Sequence, residues 1–207
     1  MILIGLIDPN IENWQKQENP DKLFSNTLFY FHTFLSLDRS NRILLLNDKK
    51  IVFDSDTAKL TEIKDILSKF KSQNLSNDLG MSLLLSKRLN LETQIFIENF
   101  DKNLDHFKIL RCLFTANKLN IQINVVSDNK LLMMLANFTN GIFYENDSFF
   151  VKILGNPSKQ LINIETRCFC HDKIILVGLT CPVCLTVYCG FMPVCKKCKS
   201  KMIFNKN

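Results

Sequence analysis

The sequence of 207 residues contains only three histidines and six glycines. No Gly-x-x-x-x-Gly-Lys or Gly-x-Gly-x-x-Gly pattern follows an apolar run, so the sequence lacks the common phosphate-binding loops of nucleotide-binding proteins. His32 and His106 lie in helical patterns and His171 lies among cysteines, which leaves no good candidate for a Ser-His-Asp arrangement. We find no catalytic constellation, and the sequence therefore predicts a protein that is not an enzyme.

Long hydrophobic runs and a basic leader are also missing. The apolar start MILIGLIDPN reaches Asp8 too early for a signal peptide or a membrane span, and no other stretch approaches spanning length. Eight cysteines without a secretory leader indicate a reducing compartment, where clustered thiols hold metal more often than they form disulfides. Cys112 stands apart from the other seven, inside an apolar helical pattern, and is predicted to be a core residue.

Positive charge is concentrated at one end of the chain. Residues 1–150 contain 17 Lys and Arg against 18 Asp and Glu, whereas residues 151–207 contain 9 against 2. A basic C-terminal part beside a nearly neutral body indicates two regions, of which the basic one suits nucleic acid or an acidic protein surface.

Apolar runs and amphipathic stretches alternate over the first 150 residues. A continuous apolar run such as ILIGLID is typical of a central strand in a parallel sheet, and its alternation with helices predicts a three-layer, Rossmann-like α/β fold. The RILLLND and KKIVFDS runs predict an antiparallel hairpin at one edge. The predicted strands cover residues 2–8, 42–48, 49–55, 93–100, 121–127 and 141–146, and the predicted helices cover residues 23–38, 57–70, 81–90, 105–120, 131–140 and 148–154.

We predict three parts from this pattern: an α/β domain over residues 1–154, a linker over residues 155–167 and a cysteine module over residues 168–207. The linker prediction depends on the turn chemistry of GNPSKQLIN.

Two Cys-x-x-Cys pairs face each other across ten residues near the end of the chain. Zn²⁺ prefers four tetrahedral ligands, and each pair presents two thiolates from one tight turn. The sequence therefore predicts one structural zinc ion, without which so small a module would not fold. Its ligands are predicted to be Cys181, Cys184, Cys195 and Cys198.

A second set of ligands, Cys168, Cys170, His171 and Cys189, offers a Cys₃His combination. The Cys-x-Cys-His spacing is poorer for a metal, and Cys189 lies inside the loop of the first site. We therefore expect these side chains to pack as thiols beside a single metal site.

Asp8 follows the first predicted strand, a position that resembles the von Willebrand A domain, whose metal-dependent adhesion site begins Asp-x-Ser-x-Ser. Here Asn10 and Glu12 replace the two serines, and Ser82 and Asp101 are the nearest equivalents of the remaining ligands. Because Glu12 adds charge and reach, we do not expect Mg²⁺ at Asp8 and predict that this side chain organises the loop.

Four segments carry a closer resemblance that extends over almost the whole chain: residues 168–198, CFCHDKIILVGLTCPVCLTVYCGFMPVCKKC, residues 125–144, VVSDNKLLMMLANFTNGIFY, residues 61–67, TEIKDIL, and residues 6–14, LIDPNIENW. Together they resemble the thirty-four-kilodalton core subunit of the general transcription and repair factor TFIIH. The loop before the helix at residue 57 looks shorter than in that family.

The resemblance implies a non-enzymatic scaffold in the nucleus that serves RNA polymerase II transcription and nucleotide excision repair. It implies that the A-like domain binds another TFIIH core subunit, one with its own A-like domain and a zinc-bearing C-terminal region. It also implies a zinc-ligand role for the two Cys-x-x-Cys pairs. No membrane and no small-molecule substrate are expected.

The composition of the module favours protein as its first partner. Large apolar side chains with no obvious core to enter favour docking on protein: Val183, Leu185, Val187, Tyr188, Phe191, Met192 and Val194. The alternative is a basic zinc ribbon that binds nucleic acid through the lysine cluster between Lys196 and Lys201.

Overall fold

A six-stranded mixed sheet forms the centre of the first of two units, Met1–Lys159 and Gln160–Asn207. The computed structural model describes residues 1–17, 19–70, 74–144 and 166–202. The strands follow the order β3-β2-β1-β4-β5-β6, and every pair is parallel except β2 and β3. This topology confirms the predicted α/β sheet with one antiparallel edge. The strands are β1 (Ile2–Ile7), β2 (Arg42–Asn47), β3 (Lys50–Asp54), β4 (Thr93–Glu98), β5 (Gln122–Val126) and β6 (Phe143–Tyr144).

Six helices accompany the sheet in the described part of this unit. Side-chain oxygens of Asn10, Asn74, Asp105 and Asn129 accept backbone N–H bonds at four of their N-termini, which satisfies donors that a helix start leaves unpaired. Within the described ranges, no helix combines the length and apolar character that a bilayer span requires. The helices are α1 (Ile11–Gln15), α2 (Pro20–Leu37), α3 (Ile63–Leu67), α4 (Leu75–Leu89), α5 (His106–Lys118) and α6 (Lys130–Phe138).

Both faces of the sheet are buried, which gives three layers. Leu3 and Ile7 of β1 belong to a core cluster that includes Phe31 of α2 and Ile63 of α3. Successive strand residues point to opposite faces, so the intervening side chains of β1 face the other way, where α4 contacts this strand. Gly5 lets α2 lie close to the sheet, because a Cβ there would overlap Leu45 and lie 3.3 Å from the Phe31 ring.

Some element boundaries differ from the sequence-based predictions. The stretch from residue 71 to residue 80 was predicted as a loop, but α4 already begins at Leu75. Leu75 and Leu79 are buried, and their packing outweighs the low helix propensity of Asn, Asp and Gly around them. The helix predicted over residues 57–70 is reduced to a 3₁₀ turn at Leu60–Glu62 and the short α3. The helix predicted over residues 148–154, and residues 155–165 of the predicted linker, lie outside the described residues.

A buried carboxylate fixes the hairpin between β2 and β3. Asp78 of α4 accepts hydrogen bonds from the backbone N–H groups of Asp48, at 3.2 Å, and Lys49, at 2.7 Å. Both turn residues have positive φ, 49° and 62°, a conformation that exposes their N–H groups on one side. The helix therefore holds the turn of the edge hairpin in place.

Candidate metal centres

Three turns of the second unit share one backbone geometry, and we call each of them a knuckle. In every knuckle the N–H of the first residue donates to the carbonyl five residues later at 2.9 Å, and the N–H of the fifth residue donates back to the first carbonyl at 2.8 or 2.9 Å. The fifth residue has a positive φ of 52°, 55° or 60°. The knuckles start at Cys168, Cys181 and Cys195, and their fifth residues are Asp172, Leu185 and Lys199.

The knuckles at Cys181 and Cys195 bring the four predicted zinc ligands together. The Sγ atoms of Cys181 and Cys198 lie 3.6 Å apart, as do those of Cys184 and Cys195, and all four atoms lie within 4.8 Å of one another. A tetrahedral Zn–S distance of about 2.3 Å requires Sγ atoms about 3.8 Å apart. The geometry therefore fits one ion with four thiolate ligands and no open position.

Hydroxyl and amide groups surround these sulfur atoms. Thr186 Oγ1 lies 3.0 Å from Cys184 Sγ, Ser200 Oγ lies 2.9 Å from Cys198 Sγ, and the Tyr188 hydroxyl lies 3.2 Å from Cys195 Sγ. Such outer hydrogen bonds orient ligands and stabilise thiolate charge.

The ionisation of the four thiols is uneven. Burial of the Cys195 thiol opposes its ionisation, but the N–H of Cys198 and the Tyr188 hydroxyl lower its pKa to about 6. Burial raises the pKa of Cys184 to about 12. Neighbouring thiols cannot all be negative unless a cation offsets their charges, so this donor set suits a divalent ion.

The third knuckle assembles the second, Cys₃His set of side chains. Cys168, Cys170, His171 and Cys189 place one ligand atom each within 4.8 Å of the others. The four side chains thus form a compact Cys₃His cluster, in which Cys168 is buried, Cys170 is partly exposed and Cys189 is exposed.

The Cys168-x-x-His171 spacing places both side chains on one knuckle. This Cys-x-x-His pair, and not Cys168-x-Cys170, is the sequence signal for the cluster. Among the described residues, this cluster and the Cys₄ cluster are the groups of three or more Cys, His, Asp or Glu side chains close enough to share an ion.

Asp8 lies in a loop held by its own hydrogen bonds. Its Oδ1 accepts from the Asn10 N–H at 2.9 Å, its Oδ2 accepts from the Asn13 amide at 2.8 Å, and Trp14 Nε1 donates to its carbonyl at 2.6 Å. Burial raises the pKa of the Asp8 carboxyl, and the charge of Asp101 raises it further. These bonds give Asp8 a role in ordering the loop after β1.

The other residues that were compared with the adhesion-site motif have separate roles. Asn10 caps α1, because its Oδ1 accepts from the Glu12 N–H at 3.0 Å. Ser82 is buried within α4 and donates to the Leu79 carbonyl at 2.7 Å. Asp101 accepts from the Asn103 N–H at 2.9 Å. These contacts organise loops and helix ends.

A second carboxyl in this region is completely buried. Glu98 pairs with Ile7 in the sheet register, and its Oε2 accepts a hydrogen bond from the Thr27 hydroxyl at 2.8 Å. Burial raises the pKa of Glu98 to about 8, with a further contribution from the charge of Asp8. The side chain is therefore largely uncharged at neutral pH.

Comparison with known proteins identifies relatives among transcription factors. The family model of transcription factor Tfb4 matches residues 57–199, more than half of the chain. General transcription factor IIH subunit 3 of Dictyostelium discoideum is 25% identical over 68% of this chain, and the chain spans only 45% of that relative's length. General transcription and DNA repair factor IIH subunit tfb4 of Schizosaccharomyces pombe is 24% identical over 97% of this chain and 88% of its own length.

A solved structure matches the fold of the first unit. The crystal structure of the TFIIH p34 N-terminal domain superposes with a TM-score of 0.56 at 14% identity, covering 75% of this chain and 97% of that domain. The family model covers three of the four segments that carry the resemblance, residues 61–67, 125–144 and 168–198. The chain belongs to the Tfb4 family of transcription factors, whose members include named subunits of the general transcription and DNA repair factor IIH.

Proposed function

We propose that this chain is a non-catalytic scaffold subunit of the TFIIH core complex. In this role it acts in the nucleus and holds partner subunits for RNA polymerase II transcription initiation and nucleotide excision repair. Membership of the Tfb4 family supports the assignment, because the related fission yeast protein is named as a subunit of the transcription and DNA repair factor IIH.

In this proposal the Cys₄ cluster holds one structural zinc ion. The four Sγ atoms lie close to tetrahedral separations, and four thiolates leave no position for a water or a substrate. The ion would cross-link the knuckles at Cys181 and Cys195. This chemistry stabilises a fold and performs no reaction.

An exposed apolar run in the second unit carries the scaffold proposal. Leu176 and Val177 are exposed to 101% and 88% of their reference areas, and Ile174 beside them is exposed by 54%. Side chains this exposed make little contact within the chain, and adjacent large apolar groups on a surface are typical of protein interfaces. The run from Ile174 to Val177 is therefore the proposed docking segment for another core subunit.

The test is the double substitution Leu176→Asp and Val177→Asp in the full chain. Binding to a reconstituted TFIIH core that lacks this subunit is measured by calorimetry. Two carboxylates at a buried apolar contact should weaken binding by about tenfold or more, which corresponds to about 1.4 kcal/mol. Zinc content should stay unchanged, because neither side chain contributes to the internal packing.

Lys173→Ser is the matched control, since Lys173 is an exposed neighbour of the docking segment. It should bind like the unsubstituted chain. Equal affinity of the double variant and the unsubstituted chain would contradict the docking role of this segment. Failure of both to join the core would contradict the scaffold assignment itself.

A second candidate function is binding to nucleic acid. Four lysines in and around the knuckle at Cys195 are exposed: Lys196, Lys197, Lys199 and Lys201. If they contact DNA phosphates, the logarithm of the affinity for duplex DNA should fall with the logarithm of the salt concentration by about 0.9 per contact. Absence of binding at low salt excludes this function for the isolated chain.

A further inference from the structure

The knuckle at Cys168 reproduces the two Cys-x-x-Cys knuckles in every backbone feature. In addition to the hydrogen bonds and the positive φ, the residues that flank each knuckle pair in the same way. Arg167 bridges Ile174, Thr180 pairs with Val187, and Val194 bridges Lys201, each pair antiparallel. In the other two knuckles the first and fourth residues are both metal-ligand candidates. At Cys168 the fourth residue is His171, which supplies an imidazole in place of a thiolate.

We propose that Cys168, Cys170, His171 and Cys189 form a second structural zinc site, so that the chain holds two zinc ions. The His171 Nδ1 atom lies 3.9 Å from Cys168 Sγ and 3.3 Å from Cys189 Sγ. Tetrahedral zinc with Zn–S of about 2.3 Å and Zn–N of about 2.1 Å requires S···N separations of about 3.6 Å. The two distances lie on either side of that value.

Backbone donors support a thiolate at this site. The N–H groups of Cys170 and Cys189 both donate to Cys168 Sγ at 3.3 Å. In the Cys₄ cluster the N–H of Cys198, the fourth residue of its knuckle, donates to Cys195 Sγ at 3.5 Å. Such bonds stabilise a coordinating thiolate and fix the position of its sulfur. In both clusters the first sulfur of a knuckle therefore accepts a backbone N–H bond from a residue of the same knuckle.

The chemistry of the ligand set selects the metal. Three thiolates and one imidazole suit zinc in a tetrahedral, closed site, and they disfavour the oxygen-seeking ions Mg²⁺ and Ca²⁺. Thiolates in both sites would outnumber the charges of the two ions, and the C-terminal part supplies the compensating cations, with 9 Lys and Arg against 2 Asp and Glu over residues 151–207.

Strand β8 (Val187–Tyr188), which pairs with β7 (Leu179–Thr180), connects the two clusters. Tyr188 is fully buried, and its hydroxyl lies 3.2 Å from Cys195 Sγ of the Cys₄ cluster. Its ring contacts the Phe169 ring of the third knuckle at 5.8 Å between centroids, and the next residue is the ligand Cys189. Each ion would therefore hold one side of the same strand.

The two sites differ in exposure, which predicts different lability. Cys181, Cys184 and Cys195 are buried, whereas His171 and Cys189 are exposed. Exposed ligands allow a chelator to approach the ion. Stepwise chelation should therefore release zinc in two phases, with the Cys₃His ion leaving first.

The experiment is a zinc count by native mass spectrometry on the full chain, purified in reducing buffer after expression with added zinc. The unsubstituted chain should hold two zinc ions, and Cys189→Ser should hold one. Cys112→Ser is the matched control, because Cys112 lies in α5 of the first unit, and it should keep two ions.

His171→Cys provides a test that keeps the ligand count. It should retain two ions, and after exchange for Co²⁺ its sulfur-to-cobalt absorption should gain the contribution of one additional thiolate. A single zinc ion in the unsubstituted chain would overturn the proposal. So would two ions in Cys189→Ser, or a disulfide between Cys170 and Cys189, which appears as the loss of two hydrogens in the intact mass. The Cys₄ site and the scaffold assignment would survive each of these results.

Discussion

The two units of this chain fill their interiors with different residues. In the first unit, aromatic and branched side chains such as Phe31, Phe96 and Ile63 are completely buried on one face of the sheet. In the described part of the second unit, most of the buried non-polar residues are cysteines from the two clusters, and large apolar residues such as Leu176 lie outside. The buried set there is Cys168, Cys181, Cys184, Tyr188, Cys195 and Met202.

We infer from this contrast that the two parts of the chain reach stability by different means. A domain of ordinary size buries enough apolar surface to offset the loss of chain entropy, but a unit of 48 residues does not. Small units compensate with disulfides or metals, whose binding free energy becomes folding free energy. The second unit can then leave its apolar side chains on the surface, where another subunit can cover them.

The largest expected effect comes from removing the metal. Chelation of zinc, or Cys184→Ser in the Cys₄ cluster, should unfold the second unit and leave the first unit folded. The apparent binding free energy of a structural zinc ion is on the order of 10 kcal/mol, more than a unit of this size can replace by packing. Limited proteolysis followed by mass mapping would show cleavage confined to residues beyond 160.

Cys112→Ser is again the matched control and should leave the protease pattern unchanged. If the second unit resisted proteolysis after complete zinc removal, apolar packing would suffice to fold it. That result would contradict the inference that this unit depends on metal.

A smaller effect is expected from a cavity in the core of the first unit. Phe31 is fully buried and meets the Phe96 ring edge-on at 5.8 Å between centroids. Phe31→Ala should lower the free energy of unfolding by about 3 to 5 kcal/mol, the usual cost of deleting a buried aromatic side chain. Chemical denaturation followed by circular dichroism measures this change, and zinc content should not change.

Leu84→Ala on α4 is the control, since Leu84 is exposed by 66% and its truncation should change stability by no more than about 0.5 kcal/mol. Release of zinc by Phe31→Ala would contradict this expectation, because the stability of the second unit would then depend on the core of the first.

The smallest effect concerns the buried carboxyl of Glu98, whose burial lowers the folding stability of the first unit. Burial raises the pKa of Glu98 to about 8 from the ordinary value of 4.5, so the folded state keeps a proton that the unfolded chain releases. Folding stability should therefore fall as the pH rises through the window between those two values, by up to about 1.4 kcal/mol per pH unit. Glu98→Gln should remove this loss, so the variant should become more stable than the unsubstituted chain as the pH rises towards 7.5.

Thermal unfolding at pH 5 and pH 7.5 measures the difference. The two proteins should be similar at pH 5, and the variant should melt higher at pH 7.5. The exposed Glu92 provides the control substitution Glu92→Gln, for which both pH values should give the behaviour of the unsubstituted chain. An equal pH dependence for Glu98→Gln and the unsubstituted chain would show that Glu98 is ionised inside the core.

The sheet could be predicted because its strands are nearly continuous apolar runs, which have few alternatives to central positions. The start of α4 could not, because Asn, Asp and Gly between residues 74 and 80 favour a loop locally. The burial of Leu75 and Leu79 becomes visible only when the helix meets its neighbours. Similarly, the helix predicted over residues 57–70 is shortened, because a 3₁₀ turn and one short helix already bury Ile63 and Leu67 and pack Leu60 and Ile66 against the core.

The Cys₄ cluster could be predicted from spacing, because two Cys-x-x-Cys pairs define both turns and all four ligands. The Cys₃His cluster could not be predicted with the same argument. Its Cys168-x-x-His171 pair is hidden by Cys170 between the two ligands, and Cys189 reaches the cluster only through the position of β8. Sequence spacing identifies ligands within a turn, but ligands from a neighbouring strand depend on tertiary structure.

The hairpin of β2 and β3, whose turn is held by Asp78, also affects how an isolated copy of the chain behaves. An open edge strand offers unpaired N–H and C=O groups to other strands and invites amyloid-like stacking. Here β3 begins with a lysine, its pairing with β2 is irregular between Leu45 and Leu46, and Asp78 prevents the turn from rearranging. A copy of the chain that has met no other protein therefore has a sheet edge that disfavours pairing with foreign strands.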